Sequence, residues 1–347
     1  MKFRMEFLIA LVIAFFLIGS VSLLAWFNIS KPRILILHSY DKEYSWVRDV
    51  NTGLKRVLDK RRDYTLRWYY LDTKRHPWPE YKTNAGTAAR RMIDEMQPDI
   101  IIAVDDDAQQ YVTRHYLGNP HIKIVFAGVN NEPQDYGFDH ANNVTGILER
   151  APLDALKESL LIAAQRNDLK LPLRIRFIGD RSETVQGDEK YFRSYAWAPF
   201  LVLDSRLVST YAEWQETVQD SAGKADFLIA SNYRKVMRSA SDPMLVPAHE
   251  LIAWTESHSK VPVIGTNGFF AEDGGMLAIG TSPYEQGEVA ARLATEILDH
   301  GKRPDQLPFL VTHQFIVAMR ETELRNRHFY LPKVYEAAAR ASNKYFE

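Results

Sequence analysis

Three consecutive carboxylates, Asp105-Asp106-Asp107, follow the apolar run Ile100 to Val104. Acids at the end of a buried strand can hold an ammonium group, an array of hydroxyls or a divalent cation. They can also cap the next helix, expected over Ala108 to Tyr116, where an acid gains about 0.3–1 kcal/mol from the helix dipole. At least one of the three is expected to cap and another to face a ligand. His38 ends a second apolar run, Ile34 to Leu37, and reads as a hydrogen-bonding loop residue before an acid or base. The turns Gly265-Thr266-Asn267-Gly268 and Gly274-Gly275 let the backbone bend near strand ends rather than cradle phosphate. There is no Gly-x-Ser-x-Gly elbow, phosphate loop or His-Glu-x-x-His pair.

The Asp-x-Asp spacing within residues 105–107 raises one enzymatic alternative, a metal-dependent nucleotide-sugar transferase whose ion neutralises a leaving diphosphate. No further acid and no basic diphosphate cradle stand at matching positions. Without that reading the chain needs no cofactor or metal and is not an enzyme.

The elements that position these residues alternate strand and helix, the pattern of a parallel α/β sheet. Strands are expected at Ile34 to Leu37, Leu66 to Tyr70, Ile100 to Val104, Ile122 to Phe126, Arg174 to Ile178, Phe200 to Leu203, Phe227 to Ala230 and Val261 to Ile264. Helices are expected at Lys82 to Met96, Pro152 to Ala164, Ser182 to Tyr195, Tyr211 to Ser221, Met244 to Ser257, Pro283 to Asp299 and Lys333 to Phe346. In the last, Val334, Tyr335, Ala338 and Ala341 form an apolar stripe expected to dock on the second lobe. Asn143-Val144-Thr145-Gly146 and Leu277-Ala278-Ile279-Gly280-Thr281 interrupt this rhythm and read as hinge crossings.

With 347 residues the chain exceeds one ordinary core, so two lobes are expected. The division runs 1–30 as an N-terminal segment, 31–146 plus 281–309 as lobe 1, and 147–280 plus 310–347 as lobe 2. A formal charge of −1 draws the chain to neither nucleic acid nor an anionic surface. The absence of cysteine removes disulfides, thiolate chemistry and a lipoprotein anchor. Phe7 to Ser30 carries no charge and follows Lys2 and Arg4, which reads as an uncleaved signal anchor in a bacterial inner membrane with the folded domain in the periplasm. The competing reading is a signal peptide cleaved near Ser20-Val21-Ser22, which would leave a soluble periplasmic protein.

Beyond the anchor, the loop His38 to Trp46, Pro98-Asp99-Ile100-Ile101-Ile102-Ala103, Val125-Phe126-Ala127-Gly128-Val129-Asn130-Asn131, Asn143-Val144-Thr145-Gly146, Val261-Pro262-Val263-Ile264-Gly265 and Tyr284-Glu285-Gln286-Gly287 occur in an order that resembles the ABC transporter substrate-binding protein family. The resemblance covers about nine tenths of the chain. It implies a two-lobed type I periplasmic-binding fold, each lobe a mainly parallel sheet flanked by helices, closing on a small solute. Better known relatives bind tryptophan or tyrosine, and an amino acid or related amine is the expected solute, with a sugar second. The expected partner is an ABC permease or a membrane sensor; no kinase or cyclase is expected after Glu347, unlike in many sensors.

Ligands on such sheets bind beyond the carboxyl ends of the strands. That places His38, Ser39, Tyr40, Asp72, Asp105, Asp106, Asn130 and Asn131 at the ligand from the first lobe, and Asp180, Asn232, Asn267 and Phe269 from the second. Trp46 joins Tyr40, Tyr233 and Phe269 as an aromatic surface on which an apolar part of the solute could stack.

Overall fold

The computed structural model describes residues 2–347. A helix over Lys2–Ile29 opens the chain, and its segment Ala10–Ile29 has mean hydropathy 2.4 with none of it buried. The side chains of Lys2 and Arg4, the charges expected to flank it, lie outside the described residues. Only Ser30, Lys31 and Pro32 separate this helix from the first strand.

Two sheets follow. The first holds six parallel strands in the spatial order Leu310–Val311, Val144–Leu148, Lys123–Val129, Ile100–Val104, Arg33–His38, Thr65–Tyr70. In Arg33–His38, Ile34 and Ile36 enter one apolar cluster while Leu35 and Leu37 enter another. Both faces of the sheet are therefore covered, which is why its strands read as unbroken apolar runs. The second sheet runs Tyr345–Phe346, Phe315–Arg320, Leu277–Thr281, Val263–Gly265, Phe227–Ala230, Arg174–Asp180, Leu201–Val202, with Arg206–Val208 also beside Arg174–Asp180. One neighbouring pair, Leu277–Thr281 with Phe315–Arg320, is antiparallel.

Two stretches expected to be hinge crossings are strands. Val144–Leu148 extends the first sheet and Leu277–Thr281 the second, each wholly buried. Their Thr and Gly residues masked the β pattern, and the changes of sheet fall just after them, at 149–152 and Ser282, with a third at 312–314. The C-terminal helix also ends early, at Ala341. Residues 345–346 pair with the Phe315–Arg320 strand instead, and the helix docks through Tyr335 and Ala339 while Val334 and Ala338 face solvent.

Helices Ser45–Leu58 and Pro283–His300 cross backbone to backbone against the first sheet. A Cβ on Gly53 would lie 2.1 Å from the Tyr284 carbonyl oxygen, and one on Gly287 2.0 Å from that of Val50. Two glycines facing each other permit this approach. It seats the helix that begins at the end of the His38–Tyr44 loop, and so sets where Tyr44 and Trp46 stand.

Candidate functional site

The carboxyl ends of the two sheets face each other across a narrow cleft. Tyr40, Tyr44 and Trp46 come from the loop and helix start after the first strand, Lys74 from the loop after the second, and Asp105, Asn130 and Glu149 from the next three strand ends. The facing sheet contributes Thr184 and Asp188 on helix Glu183–Ser194, then Asn232, Asn267 and Phe269. Edge-to-face and tilted contacts run from Tyr40 through Tyr44 and Phe269 to Tyr233, with centroids 5.5–5.9 Å apart. One apolar cluster thus continues from lobe to lobe, and Asn130 Nδ2 donates across the cleft to Asp188 Oδ1 at 3.2 Å.

The three aspartates go three ways. Asp105 is 3 % exposed, its Oδ2 has no hydrogen-bond partner among the described residues, and its backbone sits at φ 66°, ψ 167°. That region is almost reserved for glycine and costs about 1–3 kcal/mol. Burial first, then the charge of Asp106, pushes its carboxyl well above the usual carboxylate range against the pull of Lys74. Asp106 turns away from the cleft and accepts the amides of Asn130 and Asn131 and the Tyr136 hydroxyl, the last at 2.7 Å. Asp107 pairs with Lys82 Nζ at 2.8 Å, both buried. No aspartate side chain caps the following helix; the Ala108 amide is met by Ser39 Oγ at 2.8 Å. Carboxylates that diverge to separate partners do not form the convergent set a metal needs, and no metal-binding cluster occurs among the described residues.

Of the expected site residues, Tyr40, Trp46, Asp105, Asn130, Asn232, Asn267 and Phe269 line the cavity. The others do not. His38 is fully buried between helix Ser45–Leu58 and the edge strand, stacked on Tyr70 at 5.3 Å with Nε2 at 2.7 Å from Asn51 Oδ1. Burial lowers its pKa to about 4, so it is neutral and structural. Ser39 joins strand to helix by donating to the Val104 carbonyl while capping Ala108. Asp72 is taken by a bidentate pair with Arg75 at 2.7 Å. Asn131 donates to the Tyr136 hydroxyl, and Asp180 accepts the amides of Ser182 and Lys235.

Residues that sequence reasoning passed over include Tyr44, Lys74, Glu149, Thr184 and Asp188. Glu149 follows the strand misread as a hinge, so the strand-end rule finds it once Val144–Leu148 is recognised. Lys74 stands two positions past Asp72, the residue chosen after the second strand. Asp188 lies a turn inside its helix, where spacing carries no signal. Lys74 is 6 % exposed, and its ammonium lies 4.4 Å from the Tyr40 ring centroid with no hydrogen bond or ion pair among the described residues. Burial, then Lys235, lowers its pKa to about 8. Burial and the charge of Asp188 push Glu149 well above the usual carboxylate range, and burial raises Asp188 to about 6.

Two α/β lobes with a buried, polar and aromatic cleft between strand ends define a solute-binding protein of the type I periplasmic class. The chain belongs to the ABC transporter substrate-binding protein family, whose profile matches residues 80–329. It is therefore a substrate-binding protein for an ABC transporter, not an enzyme, and the transferase alternative falls. No curated protein matches the sequence. Among solved structures it is similar to a conserved domain protein from Vibrio cholerae O1 biovar El Tor, at 19 % identity and TM-score 0.65 over 92 % of this chain and 100 % of that one. It is also similar to an ABC domain in complex with L-Trp from Streptococcus pneumoniae, at 13 % identity and TM-score 0.65 over 89 % and 98 %. A third is the ligand-free, open form of a substrate-binding protein with adhesive properties from Clostridium difficile, at 17 % identity and TM-score 0.63 over 87 % and 96 %.

Proposed function

We propose that this chain is a membrane-tethered, envelope-facing receptor that closes on a small solute bearing an amino group and an apolar or aromatic part, and presents the solute or the closed form to a permease or a membrane signalling partner. Asp105 carries this reading. A buried carboxylate oxygen without a partner, on a backbone conformation that costs energy to hold, marks a group kept ready for a ligand. The aromatic faces of Tyr40, Tyr44, Trp46 and Phe269 would take the apolar part, and the streptococcal relative's L-Trp is consistent with that division. The proposed rigid bodies are 31–148 with 283–311 and 153–281 with 315–347. Solute touching both favours the closed state by its differential affinity.

Thermal unfolding of the full chain in detergent against amino acids, amines and sugars tests the reading. A solute at about 100 times its dissociation constant should stabilise by about 2.7 kcal/mol. Stabilisation by sugars alone would refute the amino-group assignment. Intact-mass measurement on membrane-extracted protein tests the tether, because loss of residues up to about Ser22 would show cleavage.

A further inference from the structure

The cavity holds more carboxyl groups than its own cation can pair with. Asp105, Glu149 and Asp188 line it against one ammonium, that of Lys74; burial and neighbouring acids raise all three carboxyl groups toward the neutral form, and a bound cation would draw them back to the charged one. Asp105 Oδ2 is partnerless although the residue is 97 % buried. Glu149 makes no side-chain hydrogen bond among the described residues, while Asp188 is met only by neutral donors, Ser231 Oγ at 2.6 Å and Asn130 Nδ2 at 3.2 Å. Of the nearby cations, Lys235 has no ion pair among the described residues but lines a different pocket, with Trp78 and Lys82, and the others already hold acids. Arg234 holds Asp273 at 2.7 Å, Arg150 holds Glu132 at 3.1 Å, and Lys82 holds Asp107.

Asp105 is buried and Glu149 and Asp188 are half-buried; carboxyl groups so placed without counter-charge are costly, and a ligand that supplies the charge is bound for that reason. The walls suit a cation as well. Lys74 already lies over the Tyr40 and Tyr44 rings at 4.4 and 5.6 Å, and Arg234 over Tyr44 and Phe269 at 4.9 and 4.8 Å, so these faces hold positive charge even without solute. We infer that the solute carries net positive charge as an amine without a compensating carboxylate, rather than as an amino acid. Lys74 is then the resident cation that the ligand's ammonium supplants over Tyr40, rather than an anchor for a ligand carboxylate. It also lines an adjoining pocket with Asp41 and Glu43, which gives its ammonium somewhere to go.

This inference rests on the amino-solute reading above, and one experiment separates the two. Calorimetric titration of the full chain in detergent compares L-tryptophan with tryptamine and L-arginine with agmatine, pairs that differ only by a carboxylate. The decarboxylated amine should bind at least tenfold tighter within whichever pair binds. Glu149→Gln should then weaken that amine at least tenfold, and Lys74→Met should leave it unchanged or tighter. Tighter binding of the amino acids, or loss of amine binding in Lys74→Met, overturns the cationic assignment while leaving the amino-solute reading in place. No binding by any of the four overturns both.

Discussion

Replacing Asp105 by glycine should make the protein more stable and unable to bind. The magnitude follows from its backbone. At φ 66°, ψ 167° an L-residue bears about 1–3 kcal/mol of strain, and glycine bears almost none, though it brings about 0.5–1 kcal/mol of extra unfolded-state freedom. The net gain of Asp105→Gly over Asp105→Ala is therefore about 0–2.5 kcal/mol, centred near 1 kcal/mol, a few degrees in melting temperature for a chain of this size. Both variants also remove a buried carboxylate whose Oδ2 has no partner, so both should exceed the parent in the absence of solute. Only the glycine variant gains the strain component. Urea unfolding of the parent and the two variants without solute, followed by titration with the solute found by thermal screening, checks each part. A glycine variant no more stable than the alanine variant refutes the strain argument. Unchanged solute affinity in both would remove Asp105 from the site.

Lys344→Met should cost about 3 kcal/mol by urea unfolding, since it strands Asp49, 2.6 Å from the ammonium, and Glu272, both of which water can partly reach. Because those acids sit on helices of opposite lobes, small-angle scattering should show a more open particle, and an unchanged scattering curve would contradict the bridge. Gly287→Ala should cost several kcal/mol or prevent folding, as the new methyl meets the Val50 carbonyl oxygen at 2.0 Å with backbone on both sides. Near-parent stability by urea unfolding would refute that crossing. For pH, burial raises the Asp188 carboxyl to about 6 in the folded state from the ordinary aspartate value of about 3.8 it has when unfolded, so the folded state binds more protons between those values. Stability of the solute-free protein should fall by up to about 3 kcal/mol as pH rises from about 4 to above 6. Asp188→Asn should flatten that part of the curve; an identical slope in parent and variant would contradict the assignment.

The first sheet was legible because burial on both faces leaves strands such as Ile100–Val104 without polar interruption, a signal that composition alone carries. Val144–Leu148 and Leu277–Thr281 were obscured because Thr145, Gly146, Gly280 and Thr281 are buried by close packing rather than by apolar chemistry. Gly146, for example, lies where a Cβ would strike Phe126. The site followed the same logic. Strand-end geometry locates Tyr40, Asp105, Asn130 and Asn267, but it cannot say which way a side chain turns. Asp106 was lost to the amides of Asn130 and Asn131, and His38 to the ring of Tyr70, because those partners come from distant sequence. Lys74 and Asp188 depend on how far a loop or helix leans over the cleft, which is a property of packing.

The three-residue link between the apolar helix and strand Arg33–His38 has a mechanical consequence on the tethered reading. The chain enters the first lobe at the end of that strand farthest from the cleft, and Arg33 is pinned there through its amide to Asp99. The first lobe is then the stator, fixed in the frame of the bilayer, and the second is the rotor, joined to it by three crossings and free of direct attachment to the anchor. A partner confined to the membrane plane would press on the part that stays still. To register whether the cleft is occupied, it must extend past the stator, by more than the roughly 20 Å length of a six-residue strand, and touch the second lobe. Tethering thus selects partners by height as much as by surface chemistry.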